Sequence, residues 1–122
     1  MALTRKVEEN TLVLMDGSET ILSIQENLEG QTVCFKLSGK LRSDTAHDFM
    51  DELFAIVPLG MNLDIDLEEV EYISSTCQQV LLSVQQKIDE LGKSALLISK
   101  LNDRIREDFD STGFSQLLDI AD

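Results

Sequence analysis

The sequence predicts a single α/β domain in which helices cover a mixed β-sheet. Apolar residues alternate with polar ones in the first third of the chain, as in strands, and later recur every three or four residues, as in helices. From residue 43 onward the predicted helices alternate with strands, an order that produces parallel crossover connections. With 122 residues, 43% of them hydrophobic, the chain has enough apolar content for one core.

The first third predicts strands joined by tight turns. Residues 1–10 are polar and are expected to form an arm without regular structure, whereas the run TLVLM at 11–15 fits a short strand that Asp16-Gly17 closes. We therefore expect residues 1–18 to be an N-terminal extension with one short strand, and 19–122 to be the main domain. Alternation then predicts strands over 21–25 and 32–38, with a turn at Glu29-Gly30.

The rest of the chain alternates between helices and strands. The first helix is expected to be capped by Ser43 or Asp44, to carry a stripe of apolar residues from Ala46 to Val57, and to end at Pro58 and Gly60. A strand over 61–67 follows, then a helix that starts near Ser74 or Ser75, has a stripe from Cys77 to Leu91, and ends at Gly92.

The C-terminal third predicts one more strand and one more helix. The strand at 94–99, SALLIS, is almost entirely apolar and is expected to be buried on both faces. Asn102 or Asp103 caps a third helix that carries Ile105 and Phe109 and stops at Gly113. The tail from residue 114 holds four apolar side chains, and we expect it to dock on the core.

Composition restricts the class of function. A net charge of −13 repels nucleic acid and anionic lipid and favours partners with basic patches. The N-terminus lacks the apolar run of a secretory signal, and no apolar stretch is long enough to span a bilayer. Cys34 and Cys77 form no metal-binding or disulfide pattern, so reduced thiols and a cytoplasmic location are expected.

Nothing in the sequence indicates an enzyme or a cofactor, because the chain contains no glycine-rich phosphate loop and no nucleophile elbow. Asp64 and Asp66 share one face of a predicted strand and could suggest a metal or acid pair, but a solvated face is favoured. His47 is expected to be a surface histidine rather than a metal ligand. Cys77 is expected to be a small buried residue, with a thiol activated by the helix N-terminus as the alternative.

Four segments in order resemble the STAS family, named for sulfate transporters and anti-sigma factor antagonists. They are LSGKL at 37–41, LDIDL at 63–67, VEYISSTC at 70–77 and STGF at 111–114. The resemblance implies a protein-binding partner switch, in which an anti-sigma factor with serine kinase activity phosphorylates a serine at a helix N-terminus and a serine phosphatase reverses it. By position this serine is Ser75, with Thr76 beside it.

The same resemblance implies a partner-binding surface around that serine. We expect the surface to comprise Gly39, Arg42, Ser43, Asp44, Thr45, Ser74, Ser75, Thr76, Cys77 and Gln78. We expect either the N-terminal extension or a second subunit to cover apolar surface, and a homodimer is left open.

The chain differs from the family pattern at three positions. Ser74 replaces an aspartate, Cys77 replaces a glycine, and Arg42 stands where an acidic residue is common. Two alternatives therefore remain: an interaction or scaffold module without phospho-control, and an accessory subunit of a lipid or anion transporter. Ser74, Ser75 and Thr76 could also serve only to cap the helix.

Overall fold

A computed structural model describes residues 3–121 and shows one mixed sheet with helices packed on it. The nine helices and strands of the described residues follow in chain order. They are β1 (Thr4–Glu8), β2 (Thr11–Asp16), β3 (Glu19–Glu29), β4 (Thr32–Leu41), α1 (Ala46–Phe54), β5 (Asn62–Ile73), α2 (Ser75–Leu91), β6 (Leu96–Ser99) and α3 (Asp103–Thr112). The predicted fold class is confirmed.

The sheet has the order β1-β2-β3-β4-β5-β6. Strands β1 to β4 pair antiparallel through short turns, and β4, β5 and β6 pair parallel because α1 and α2 form the crossovers. The parallel register sets Leu41 opposite Ile73, so the ends of β4 and β5 lie side by side where α2 begins.

One face of the sheet carries the core. Val33, Phe35 and Leu37 of β4 are buried in a single cluster with side chains from all three helices, while the alternate residues of β4 stay at least partly exposed. From α2, the cluster takes Cys77, Val80, Leu81, Val84 and Ile88. The helices therefore cover one face, as the alternation in β4 predicts.

Four local predictions are corrected. The expected unstructured arm contains strand β1, although residues 1 and 2 lie outside the described part of the chain. Strand β6 is an edge strand with Leu97 38% exposed, so it is not buried on both faces. Strand β5 continues to Ile73, six residues beyond its predicted end. Leu91, assigned to the apolar stripe of α2, is exposed.

The start of α1 also differs from the prediction. Ser43 and Asp44 belong to a 3₁₀ turn, Ser43–Thr45, that leads directly into the helix, and no side chain caps α1. By contrast, the expected caps of α2 and α3 are confirmed as Ser74 and Asn102, and both helices end at the expected glycines. The tail docks through Leu118, which is buried, and through backbone bonds that join Ile98 to Asp119 and Ala121.

Candidate functional site

The predicted site residues meet at the end of the sheet where β4 and β5 finish. We call this region the α2 rim and define it as residues 39–45 together with residues 74–78. A backbone hydrogen bond from Ser74 N–H to the Leu41 carbonyl, 2.8 Å, fastens the two segments to each other. Ser43 Oγ and Thr76 Oγ1 lie 3.5 Å apart across the same junction.

Ser74 is the structural serine of the rim. Its side chain is buried, and its Oγ accepts a hydrogen bond from the backbone N–H of Cys77 at 3.1 Å. Its carbonyl accepts from Gln78 N–H at 3.0 Å, the first bond of the helix. Ser74 thus satisfies a backbone donor that a helix N-terminus otherwise leaves unpaired.

Ser75 and Thr76 are the first two residues of α2, and both are exposed. Both residues therefore lie at the surface near the positive end of the helix dipole, where an added phosphate is tolerated electrostatically, and the Thr76 hydroxyl also lies 3.5 Å from Ser43 Oγ. Because Ser74 supplies the cap, changes at these two hydroxyls leave the hydrogen bond that starts the helix in place.

The turn after β4 is held against α2 through one carbonyl oxygen. The Arg42 carbonyl accepts from the Thr45 backbone N–H at 3.0 Å, from Thr45 Oγ1 at 2.8 Å and from Cys77 Sγ at 3.3 Å. Thr45 is fully buried, so its hydroxyl stabilises the turn and does not contribute to the surface. These bonds fix the position of Ser43 and Asp44 relative to the exposed hydroxyls of α2.

Gly39 lets β4 approach β3 closely. It has a φ of 104°, and a Cβ at this position would lie 2.2 Å from the Ile21 carbonyl oxygen. A side chain is therefore excluded by both backbone conformation and space. Gly39 is half-buried, and it sets the path of the segment that leads into the rim.

The rim carries one internal ion pair. The Arg42 guanidinium donates to the Asp44 carboxylate through Nε, at 2.9 Å, and through Nη2. The hydrogen bond from Arg42 lowers the pKa of Asp44, and the same bond raises the pKa of Arg42. The negative charges of Asp16 and Glu19, on either side of the β2–β3 turn, also raise the pKa of Arg42. Three acidic residues therefore act on Arg42, while Lys40 adds a second basic residue to the rim.

Four of the ten residues expected on the binding surface are buried: Thr45, Ser74, Cys77 and Gln78. Their side chains support the rim and do not form its surface, so this part of the prediction is corrected. Gln78 accepts a hydrogen bond from Thr112 Oγ1 at 2.8 Å and so connects α2 to α3. Burial raises the pKa of the Cys77 thiol, which contradicts the alternative of an activated cysteine.

Tyr72 lies directly beside the rim, and sequence reasoning did not include it among the site residues. Its side chain is 48% exposed, and its backbone is in register with Lys40 of β4. Val70 and Ile73 are buried, which leaves Tyr72 between them on the outside. The spacing of three between these two apolar residues was the available signal, and it marks a strand whose alternation is interrupted.

Asp64 and Asp66 lie away from the rim, in a cleft of about 440 Å³ on the open face of the sheet. Ser99 Oγ donates to Asp64 at 2.6 Å, and Lys100 Nζ lies 3.6 Å from Asp66. Within residues 3–121, no group of histidine, cysteine and acidic side chains is arranged to hold a metal ion. His47 is exposed, as expected, with Nε2 3.2 Å from Asp51.

None of the helices in the described part of the chain is long and apolar enough to cross a membrane.

A family model described as "Mlab, STAS domain" matches residues 24–119. This range includes all of the α2 rim and excludes β1 and β2. No curated protein matches the chain.

Solved structures with the same fold include an anti-sigma factor antagonist from Mycobacterium paratuberculosis. It is 18% identical with a TM-score of 0.69, and the match covers 81% of this chain and 84% of that one. SpoIIAA, a cell fate determinant of Bacillus solved in its phosphorylated form, is 14% identical with a TM-score of 0.62 over 81% and 91% of the two chains. A STAS domain protein from Planctomyces limnophilus is 15% identical with a TM-score of 0.67 over 80% and 87%. At these identities the likeness shows the shared fold.

Proposed function

Because the chain belongs to the STAS domain family, we propose that it is a non-catalytic regulatory module that binds proteins through the α2 rim and is switched by phosphorylation of Ser75. Its partners would be an anti-sigma factor with serine kinase activity and a serine phosphatase that removes the phosphate. It would act in the cytoplasm, where free thiols such as Cys34 and Cys77 stay reduced.

One observation carries this proposal: the rim separates the serine that caps α2 from the hydroxyls that are exposed. Ser74 is buried in the cap, while Ser75 and Thr76 face solvent. A phosphate on Ser75 adds about two negative charges at neutral pH without removing a bond that the fold needs. The domain therefore stays folded, and the added charge changes the surface that a bound partner contacts.

The net charge of the whole chain, −13, supports a partner with a basic docking patch. The rim itself carries Lys40, Arg42 and Asp44, and Asp16 and Glu19 outside the rim also act electrostatically on Arg42. Complementary charge speeds association and fixes orientation. A dianion placed inside a docked interface must lose its hydration, so it blocks binding unless arginines of the partner receive it.

The test compares capture of partners from an extract of the source organism by four immobilised proteins: wild type, Ser75→Ala, Ser75→Asp and Ser83→Asp. Ser83 is an exposed residue on the same helix, so Ser83→Asp adds the same charge outside the rim. We expect wild type, Ser75→Ala and Ser83→Asp to recover one partner equally and Ser75→Asp to recover it at least tenfold less. Equal recovery by all four would contradict the switch.

Mass spectrometry of the protein isolated from its source provides the second readout. The proposal requires a fraction that carries one phosphate, located on Ser75 and absent from the Ser75→Ala variant. Phosphate found only elsewhere on the chain would contradict it.

A second candidate is a binding module without phospho-control. The departure at position 77 favours it, because Cys77 is buried and bonded to the Arg42 carbonyl where the family pattern has a glycine. The turn at 42–45 is thereby fastened to α2. Equal capture by all variants, with no phosphate on the native protein, would support this candidate. If the captured protein were a membrane permease or its ATPase, the transporter-subunit alternative would be supported.

A further inference from the structure

We propose that two copies of the chain associate by antiparallel pairing of their β1 strands, with Val7 of one copy opposite Val7 of the other, so that the two sheets become continuous. The inference concerns the edge of the sheet and is independent of the proposed function of the α2 rim.

Strand β1 is available for such pairing. It lies at one end of the sheet and, within residues 3–121, pairs with β2 alone. All five of its residues are exposed, and Val7 is 67% exposed. An edge strand leaves the backbone N–H and C=O groups of alternate residues without ladder partners, and such an edge can accept another strand.

The hydrogen-bond pattern of the hairpin identifies the outward residues. Glu26 N–H donates to the Asn10 carbonyl at 2.9 Å, which shows that the even-numbered positions along β2 turn their backbone groups toward β3. Leu12 shares that parity, and Val7 is the residue of β1 opposite Leu12. The backbone groups of Val7, and by the same alternation those of Arg5, therefore point away from the sheet. Val7 can then exchange two hydrogen bonds with Val7 of a second copy.

The charges around Val7 select this pairing. The sequence from 6 to 8 is Lys-Val-Glu, which is complementary to itself when read in the opposite direction. With Val7 opposite Val7, Lys6 lies opposite Glu8 of the second copy, and this pair occurs twice. Glu9 belongs to the turn after β1 and has a φ of 52°, so it lies outside the paired strands. Opposite charges in directly opposed positions stabilise antiparallel strands, and like charges destabilise them.

The neighbouring two-fold registers lack this complementarity. A shift that centres the pair on Lys6 brings the two Lys6 side chains together, and a further shift opposes the two Arg5 side chains. In the Val7 register, Lys6 and Glu8, the two charged residues of the overlapping 6–8 segment, each meet the opposite charge. It also brings together the two exposed Val7 side chains, which lie on the same face as Leu12.

Ion pairs within each chain compete with the contacts across the proposed interface and therefore weaken the expected association. Lys6 Nζ lies 2.8 Å from Glu8 of its own strand, and Arg5 Nε lies 3.3 Å from Asp48 of α1. Pairing exchanges these exposed contacts for contacts across the edge, each worth a fraction of a kcal/mol. Three residues of each strand, 6–8, overlap in this register, so the interface is small and we expect a weak, reversible dimer and not an obligate one.

The test uses charge reversal, with sedimentation velocity measured over a range of protein concentrations. Wild type is expected to show a concentration-dependent dimer. Lys6→Glu alone opposes two acidic residues twice, and Glu8→Lys alone opposes two basic residues twice, so each variant should associate at least tenfold more weakly. When the two variants are mixed, every Lys6–Glu8 position is again complementary between chains, and a heterodimer should form at the concentrations at which wild type dimerises.

Mixing separates pairing between copies from effects within one strand. Both single variants lose the internal Lys6–Glu8 contact, and mixing cannot restore it, so recovered association must arise between chains. Lys87→Glu and Glu90→Lys form the matched control, because Lys87 and Glu90 make an equally exposed pair on α2, 3.3 Å apart; both controls should dimerise like wild type. Circular dichroism confirms that each variant is folded. A wild type that is monomeric up to millimolar concentration, or a folded mixture that fails to associate, would overturn the proposal.

Discussion

The side-chain amide nitrogen of Asn102 lies 2.7 Å from the carbonyl oxygen of Val70, and this bond ties the start of α3 to the end of β5. The same amide group donates to the Glu68 carbonyl at 3.2 Å, while the Asn102 oxygen accepts from Ile105 N–H at 3.0 Å. One side chain therefore caps a helix and satisfies carbonyl groups of a strand that leaves its regular ladder here.

Replacing Asn102 should separate these two tasks. Asn102→Asp keeps the oxygen that caps α3 but loses the donors to β5, and Asn102→Ala loses both. We expect a loss in free energy of unfolding of about 2 kcal/mol for the alanine variant. The aspartate variant should lose at least as much, because its second carboxylate oxygen replaces the amide donor and faces the carbonyl oxygens of Glu68 and Val70. Urea unfolding measures both. Glu107→Ala, at an exposed position of the same helix, is the control; an aspartate variant as stable as wild type would show that the bonds to β5 contribute nothing.

Gly39→Ala should strongly destabilise the fold. The new methyl group would lie 2.2 Å from the Ile21 carbonyl oxygen, which is backbone and can move only if β3 and β4 separate. We expect a loss of at least about 3 kcal/mol, from overpacking together with the positive φ. Gly17→Ala is the matched control, because Gly17 also has a positive φ, of 63°, but has open space around it. The melting temperature of Gly17→Ala should be well above that of Gly39→Ala. The reverse order would contradict the close approach of β3 and β4.

Glu26 should make stability depend on pH. Burial, reinforced by the Glu52 carboxyl group of α1, raises the pKa of Glu26 from 4.5 to about 7. The folded chain therefore binds this proton more tightly than the unfolded chain, so the contribution to stability is complete below pH 4.5 and is lost as the pH rises toward 7. Above pH 7, Glu26→Gln should be more stable than wild type by about 1 kcal/mol, allowing for solvent screening.

The measurement is urea unfolding of wild type and Glu26→Gln between pH 4 and pH 8. As the pH rises across this interval, the free energy of unfolding of Glu26→Gln should increase relative to that of wild type. The free energy of unfolding of Glu107→Gln, a change at an exposed position, should depend on pH in the same way as that of wild type. A constant difference between wild type and Glu26→Gln would show that the pKa of Glu26 is not raised in the folded protein.

The elements with regular apolar spacing were predictable from sequence, and those that depend on distant partners were not. The caps at Ser74 and Asn102 and the alternation in β4 are local signals, and the structure confirms them. Strand β1 has no apolar alternation, since all of its residues are exposed at an edge, so its sequence resembles a polar arm.

The end of β5 was mispredicted for a related reason. Its pairing with β4 shifts register twice after Asp66, so buried residues fall at 67, 70 and 73 in steps of three. Bulges of this kind break the period of two on which strand prediction depends. The burial of Thr45 and Gln78 could not be predicted either, because it results from contacts with Arg42 and Thr112, which are fixed only by the fold.

The hydrogen bond from Cys77 N–H to Ser74 Oγ stabilises the start of α2 through the residue that precedes the exposed Ser75 and Thr76. Selection can therefore act on residues 75 and 76 with little effect on foldability. For the proposed switch, this means that single substitutions at these two positions can change the covalent signal while the scaffold is inherited unchanged.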